Sequence, residues 1–232
     1  MGTGKPMRVA VIIPVYNEAE AIGRLLSELP ADAADQVLVV DGGSDDGTQA
    51  IAQVARATLL RQRGHGYGAA CLTGAEAAEA EILVFLDGDY SDPPSQVERL
   101  LSPLRTGSAD LVLGSRVGEG MEAGALPLHA RLGNRLALLL LRLLYGVAIS
   151  DLPSYKAIRK ADLLDLGIRD LRYGWTAELI ARAARRELRI AEVPIDYRVR
   201  LGRSKVSGSA RASLLAGVAI LRAIAGVYFR KR

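Results

Sequence analysis

The chain has 232 residues, 50% of them hydrophobic and only 5% aromatic, with 30 Lys and Arg against 26 Asp and Glu. That length fits one large domain or a domain with an appendage, and the lone cysteine, Cys71, excludes an internal disulfide or a cysteine-held metal and suits a reducing cytoplasm. The charge is unevenly spread: residues 198–232 hold nine basic and no acidic residues, which leaves 21 basic and 26 acidic, a net −5, in the first 197.

Residues 8–14 read as a strand, and 19–29 as a helix with Ile22, Leu25, Leu26 and Leu29 on one face. No long apolar run precedes the strand, so no signal peptide is expected. A second strand at 37–40 leads to a helix at 48–55, opened by the capping oxygens of Ser44, Asp45 and Asp46. A short third strand at 59–60 follows. A small-residue helix over 69–80 leads to a fourth strand at 82–86 and a fifth at 110–113. Strands alternating with helices predict an α/β fold, a Rossmann-like and mostly parallel sheet flanked by helices. After residue 113 the character changes. A Gly-rich loop at 118–127 precedes a long apolar helix at 129–149, a loop and short strand at 150–160, a helix at 175–187 and a last strand at 188–194. A Gly/Ser/Arg loop covers 198–209, and a terminal helix 210–229.

Three of the strands end abruptly in polar residues: Ile13-Pro14-Val15-Tyr16-Asn17-Glu18, Val40-Asp41-Gly42-Gly43-Ser44 and Leu86-Asp87-Gly88-Asp89. A buried parallel strand reads this way where its C-terminal end opens into a ligand crevice. Acidic strand ends that share one crevice need a compensating positive charge, and a divalent metal supplies it. Asp87 and Asp89, two apart around a glycine, can both reach one hard cation, Mg²⁺ or Mn²⁺. A plain turn is the other reading of Asp-Gly. Asp41 is read as a ligand contact, and Asp45 and Asp46 as helix caps. The Gly-rich opening Arg63-Gly64-His65-Gly66 of the third helix brings backbone N–H groups and Arg63 toward an anion, or is simply a flexible loop. His65 and His129 are isolated and are assigned no catalytic role.

These three motifs, in this order and at this spacing, resemble the family 2 glycosyltransferases with the GT-A fold, and the resemblance runs from about residue 8 to about residue 207. It implies a nucleotide-sugar donor held by Pro14, Tyr16, Glu18, Asp41, Arg63, Asp87, Gly88 and Asp89. Tyr16 would stack on the base, Asp41 would accept a hydrogen bond from it, and a metal would sit on Asp87 and Asp89. Ser91 departs from the Gln that lipid-phosphate members often carry there, and Asp92 is a possible substitute. The second half resembles the polyprenyl-phosphate sugar transferases through Gly114-Ser115-Arg116, the Arg131/Arg135 helix, Ser150-Asp151-Leu152-Pro153-Ser154-Tyr155-Lys156, Glu192-Val193-Pro194 and Arg200-Leu201-Gly202-Arg203-Ser204-Lys205. This implies a polyprenyl or dolichyl phosphate acceptor, with Arg116, Asp151 and Lys205 as catalytic residues and Arg131, Arg135, Arg200, Arg203 and Lys205 on the acceptor phosphate. Glu178 would face the acceptor or the sugar, or be a helix-surface acid. Inversion at the anomeric carbon is implied too, with GDP-mannose and UDP-glucose both open as donors.

Patterning supports a membrane surface independently of the resemblance. Arg131, Arg135 and Arg142 stand at i, i+4 and i+11, which at about 100° per residue gives roughly 0°, 40° and 20°, one face of an otherwise apolar helix. A basic stripe on such a helix suits an interface and an anionic head group; a core helix with a solvated stripe is the alternative. Residues 208–232 read as a basic amphipathic helix appended to a catalytic domain at 1–207. Arg222 near its centre and basic residues at both ends favour a helix lying on the inner, cytoplasmic face of the membrane over one that spans it. The tail is rich in Leu, Ile and Ala rather than base-reading side chains, so nucleic acid is not an expected partner; oligomeric state has no signature here. A transferase for a soluble small-molecule or cell-envelope acceptor and a non-catalytic scaffold subunit are the competing readings.

Overall fold

A computed structural model of the chain describes residues 7–55, 57–117, 120–122, 128–202 and 210–230, without the side chains of 128–132 and 210–214. Its elements are β1 (Val9–Val15), α1 (Ala19–Glu28), β2 (Gln36–Asp41), α2 (Thr48–Val54), β3 (Thr58–Arg61), α3 (Tyr67–Ala77), β4 (Ile82–Phe85), α4 (Val97–Arg105), β5 (Leu111–Ser115), α5 (Leu128–Tyr145), β6 (Lys156–Arg159), α6 (Lys160–Leu166), α7 (Trp175–Arg185), β7 (Ile190–Pro194) and α8 (Ala210–Phe229). The helices α4 and α6 are not anticipated above; Pro103 inside α4 and the shortness of α6 hide their periodicity.

The seven strands form one sheet in the order β3-β2-β1-β4-β6-β5-β7. Pairing is parallel from β3 through β4 and between β5 and β7, whereas β6 runs antiparallel between β4 and β5. Both faces of β1 are covered: Ala10 and Ile12 enter one apolar cluster, and Val9, Val11, Ile13 and Val15 the other. A strand buried on both sides must be apolar throughout, hence the continuous run in the sequence. The small residues of α3 let it lie close on the sheet, since a Cβ at Gly74 would come within 2.5 Å of Ile12 Cγ2.

α8 lies against α5 and α7 rather than standing apart. Ile224 is 0% and Val227 3% exposed, in the same cluster as Leu141 and Trp175, and Tyr145 Oη donates to Ile224 O at 2.6 Å. The sequence boundary drawn at 207/208 therefore separates two segments that share a core. Among the described residues no helix is long and apolar enough to cross a membrane. α5 ends at Gly146, whose φ of +70° an L residue rarely adopts. Its outward face carries Leu136, Leu139 and Leu143, at 48%, 51% and 70% exposed, with exposed Arg135 and Arg142 beside them, while Ala137 and Leu141 face the core.

Candidate active site

Parallel pairing puts the C-terminal ends of β1, β2 and β4 on one edge, with Val15 beside Asp41 and Ile12 beside Phe85. A cavity of about 530 Å³ opens there, lined among others by Pro14, Tyr16, Glu18, Gly42, Tyr67, Asp87, Gly88, Asp89 and Arg200. Gly88 lets the acidic turn press against β1, because a Cβ on it would lie 2.6 Å from Val15 Cγ1 and 3.0 Å from Pro14 O. Thus the structure brings Pro14, Tyr16, Glu18, Asp87, Gly88, Asp89 and Arg200 together around one space.

Two expected donor residues stand elsewhere. The Asp41 carboxylate is 3% exposed and accepts from Gly43 N at 2.9 Å, Ser44 N at 3.1 Å, Ser44 Oγ and Gln49 Nε2 at 2.7 Å. It closes its own loop, and Gly42 lines the cavity in its place. Arg63 pairs with Glu76 on α3, with 67% of its side chain exposed. The N-cap of α2 is Gly47, with no side-chain cap; Asp46, expected there, accepts from Thr48 N and from Ala19 N, both at 3.0 Å, and so ties the starts of α1 and α2 together, while Asp45 bonds to Asn17.

The acidic turn is electrostatically tense. Asp87 Oδ1 and Asp92 Oδ1 are buried, with no hydrogen-bond partner among the described residues. Burial pushes the Asp87 carboxyl up, and the Asp89 charge adds to that while Lys156 opposes it. Asp92 is pushed up to about 7, first by burial and then by the charge of Asp87. Ser91 donates its hydroxyl to Asp89 Oδ1 at 2.6 Å, so it serves the second acid of the turn directly. Such a donor set fits a hard divalent cation: two carboxylates at one turn, with oxygen atoms left unsatisfied. Among the described residues no three acidic, His or Cys side chains form a complete cage, so a cation here would draw further oxygens from the ligand or water.

Two cations flank the turn. Lys156 is 0% exposed; its Nζ donates to Ser154 O at 2.6 Å and lies 5.2 to 5.8 Å from the ring centroids of Trp175, Tyr67 and Phe85. Burial pulls its ammonium down, and Cys71, Asp87 and Asp92 act the other way. In the sequence it closes the motif Ser150–Lys156 and opens the apolar run Lys156-Ala157-Ile158, with no role assigned to it there. On the open side, Arg200 reaches Asp89 Oδ2 and Glu18 Oε1, each at 3.2 Å. Its segment is tied to the turn by Leu201 N to Asp89 O at 3.0 Å and Arg198 N to Ser91 O at 2.9 Å. Arg198 also grips Glu28 with two bonds of 2.8 Å.

Beside the cavity, Arg116 and Asp151 form a bidentate pair, Nε to Oδ2 at 2.6 Å and Nη2 to Oδ1 at 2.9 Å. Asn134 Nδ2 and Leu152 N also donate to Asp151, at 2.6 and 2.8 Å. Burial pushes the Asp151 carboxyl up, but the bonds and charge of Arg116 outweigh it and hold the group low. An acid so engaged is a positioning group for Arg116 rather than a base. Arg135 is exposed on α5; the side chain of Arg131, and Arg203 and Lys205 entirely, lie outside the described residues. Glu178 faces neither a ligand nor solvent: it is 2% exposed and accepts from Arg169 N, Asp170 N and Arg182 Nε at 3.1, 2.6 and 2.6 Å, which anchors the loop ahead of α7. That loop delivers Arg172 and Tyr173 to the cavity, and Gln62 and His65 reach it from the loop after β3. No motif marks Gln62, Arg172 or Tyr173, and His65 lies in the Gly-rich opening at 63–66; irregular loops place all four.

The family model for glycosyl transferase family 2 matches residues 10–167. A dolichyl-phosphate hexose transferase of Haloferax volcanii is 34% identical, over 97% of this chain and 95% of that one. An undecaprenyl-phosphate mannosyltransferase of Micrococcus luteus is 37% identical, over 87% of this chain and 88% of that protein. Among solved structures, glucosyl-3-phosphoglycerate synthase of Mycobacterium tuberculosis, in complex with Mn²⁺, UDP-glucose and phosphoglyceric acid, superposes with a TM-score of 0.78 at 21% identity, covering 97% of this chain and 81% of that one. At that identity the likeness is one of fold.

Proposed function

The chain belongs to glycosyl transferase family 2, and on that premise we propose that it moves a hexose from a nucleotide-sugar, GDP-mannose or UDP-glucose, to the phosphate of a polyprenyl or dolichyl lipid at the cytoplasmic surface of a membrane. The observation that carries the reading is the pairing of Asp87 and Asp89 with Arg200 in one 530 Å³ cavity at the strand ends. Names carried by relatives support the lipid acceptor, and the exposed Leu136, Leu139 and Leu143 beside Arg135 and Arg142 support the surface.

Asp87 and Asp89 would hold Mg²⁺ or Mn²⁺, which when bound offsets the charge developing on the leaving nucleoside diphosphate. Tyr16, 51% exposed at the cavity wall, offers its ring to the base. Lys156 sits behind the acidic turn and partly balances it from the protein side. A lipid monophosphate, with a second pKa of about 6, is already a dianion at neutral pH, so it needs orientation and charge compensation more than a base. Arg200, Arg135, Arg131, Arg203 and Lys205 supply that charge, and Arg116, held by Asp151, completes it. One in-line displacement with inversion then gives a β-linked product from an α-linked donor.

The test incubates the protein with Mn²⁺, a polyprenyl phosphate and labelled GDP-mannose or UDP-glucose. Label should pass to the organic phase with one of the two donors. The competing reading is a transferase for a soluble small-molecule acceptor. Label appearing only in a water-soluble product would establish that reading and overturn the first.

A further inference from the structure

A cavity of about 650 Å³ opens at the C-terminal end of α7, between it, the end of α6 and the last turn of α8, and five arginines line it: Arg169, Arg182, Arg185, Arg186 and Arg230. Glu187 is the one acid in that wall. Arg182 is neutralised by Glu178 at 2.6 Å and Arg186 by Asp165 at 2.7 Å. Arg185 donates through Nη1 to the carbonyls of Val227 and Arg230 at the end of α8, and it has no carboxylate partner among the described residues. The guanidiniums of Arg169 and Arg230 have no hydrogen bond or ion pair among the described residues. Three cations against Glu187 leave the space about two charges positive. A smaller adjoining cavity shares Arg169 and Arg230 and adds Arg222, with Asp170 and Glu178 in its wall; Glu178 is already engaged by Arg182. Helix dipoles account for basic residues in the last turn of a helix, but Arg169 lies in a loop and Arg222 in the middle of α8. Beside Val227 in the chain, Tyr228 and Phe229 at the end of α8 are 49% and 77% exposed, and Tyr228 also meets Tyr145 of α5 edge-on at 6.1 Å.

We propose that this arginine-walled cavity takes the phosphate of an anionic phospholipid head group, with Tyr228 and Phe229 entering the interface beside it. Cationic pockets with exposed aromatic rims match an anionic bilayer surface in both charge and polarity. The site is separate from the cavity at the strand ends and shares no lining residue with it. It would fix how the protein sits on the surface, and it rests on the membrane-surface part of the function proposed above.

The test is flotation of the full chain with vesicles of phosphatidylcholine alone or with phosphatidylglycerol added. Removing two charges at ~1 kcal/mol each predicts about a thirtyfold loss of affinity for phosphatidylglycerol vesicles in the double variant Arg169→Gln/Arg230→Gln. Arg230→Gln alone, at an exposed position past α8, predicts about fivefold and serves if the double variant does not fold. Turnover with a detergent-solubilised acceptor should stay at the wild-type level in both. Unchanged vesicle affinity overturns the proposal. Inorganic phosphate at matched ionic strength should displace the wild-type protein from vesicles, since the cavity recognises a phosphate; phosphate binding that the double variant loses while its vesicle affinity stays unchanged would make the cavity a free-phosphate site and overturn the proposal. Failure of the wild-type protein to glycosylate a solubilised lipid acceptor would instead strike the proposed function and leave the flotation result standing.

Discussion

Arg200 and Asp89 face each other at 3.2 Å, and the same guanidinium reaches Glu18 at the same distance. One arginine therefore bridges the acids that end β1 and β4, on a segment whose backbone is itself bonded to residues 89 and 91. Its Nε is buried and has no hydrogen-bond partner among the described residues. A cation and a donor diphosphate entering this space would compete with Arg200 for Asp89 and offer the guanidinium a phosphate instead.

Removing that competitor should tighten metal binding. Arg200→Ala is expected to lower the Mn²⁺ dissociation constant by roughly fivefold, the worth of about 1 kcal/mol for a partly exposed ion pair, while turnover with the lipid acceptor falls. Titration calorimetry with Mn²⁺ alone, set beside a turnover assay, checks both signs. Unaltered or weaker metal binding would show that Arg200 and the metal do not share Asp89.

Asp89→Ala should abolish metal-dependent turnover with the fold retained. The loss of a metal carboxylate is expected to cost several kcal/mol of transition-state stabilisation. Activity within about threefold of wild type, under saturating metal, would remove the metal from this turn.

Arg116→Lys tests the bidentate pair. A lysine cannot make the two parallel bonds of 2.6 and 2.9 Å to Asp151, and a broken buried pair costs about 3 to 5 kcal/mol. Both the melting temperature and turnover should fall. Asp151→Asn should lower turnover mainly through misplacement of Arg116, without shifting the pH profile as loss of a base would. A profile that moves in the Asp151 variant would make Asp151 a proton carrier after all.

Asp92 gives a pH signature. Its carboxyl is pushed up from 3.8 to about 7, chiefly by burial, so the folded state binds the proton more tightly than the unfolded chain. Stability from this group is complete below the unfolded value and is lost as the pH rises through about 7. Asp92→Asn, which keeps an acceptor for the Ser154 hydroxyl now at 3.0 Å, should flatten the fall in stability between pH 4 and 7 and raise the melting temperature at pH 8. Denaturant melts across that range read both effects.

The packing of α8 sets what deletion of residues 210–232 should do. Ile224 and Val227 fill the core beside Leu141 and Trp175, so the truncated protein would bare apolar surface on α5 and α7. It should aggregate or melt well below the full chain. Ile224→Ala alone is expected to cost about 2 to 5 kcal/mol. A truncated protein that stays monomeric and melts with the full chain would make residues 208–232 the separate appendage that composition suggests.

Sequence alone determined the acidic centre of this protein and its elements apart from α4 and α6. The apolar runs of β1, β2 and β4, each stopped by Pro14, Asp41 or Asp87, are local patterns, and parallel pairing carries their ends to one edge without further information. Periodicity likewise reveals α5, whose exposed Leu136, Leu139 and Leu143 lie among its arginines. Only the tertiary structure decided which charges meet. It turned the Asp41 carboxylate into its own loop, gave Arg63 to Glu76, spent Asp151 on Arg116, and drew α8 into the core. It also placed Lys156 behind the acidic turn within an aromatic cage, and Arg200 in front of it. These are pairings between distant segments, 35 residues apart for Arg116 and Asp151 and 170 for Arg198 and Glu28. A side chain's partner in a low-dielectric interior is set by what the fold leaves within a few ångströms of it, and that separation is invisible to any pattern read along the chain.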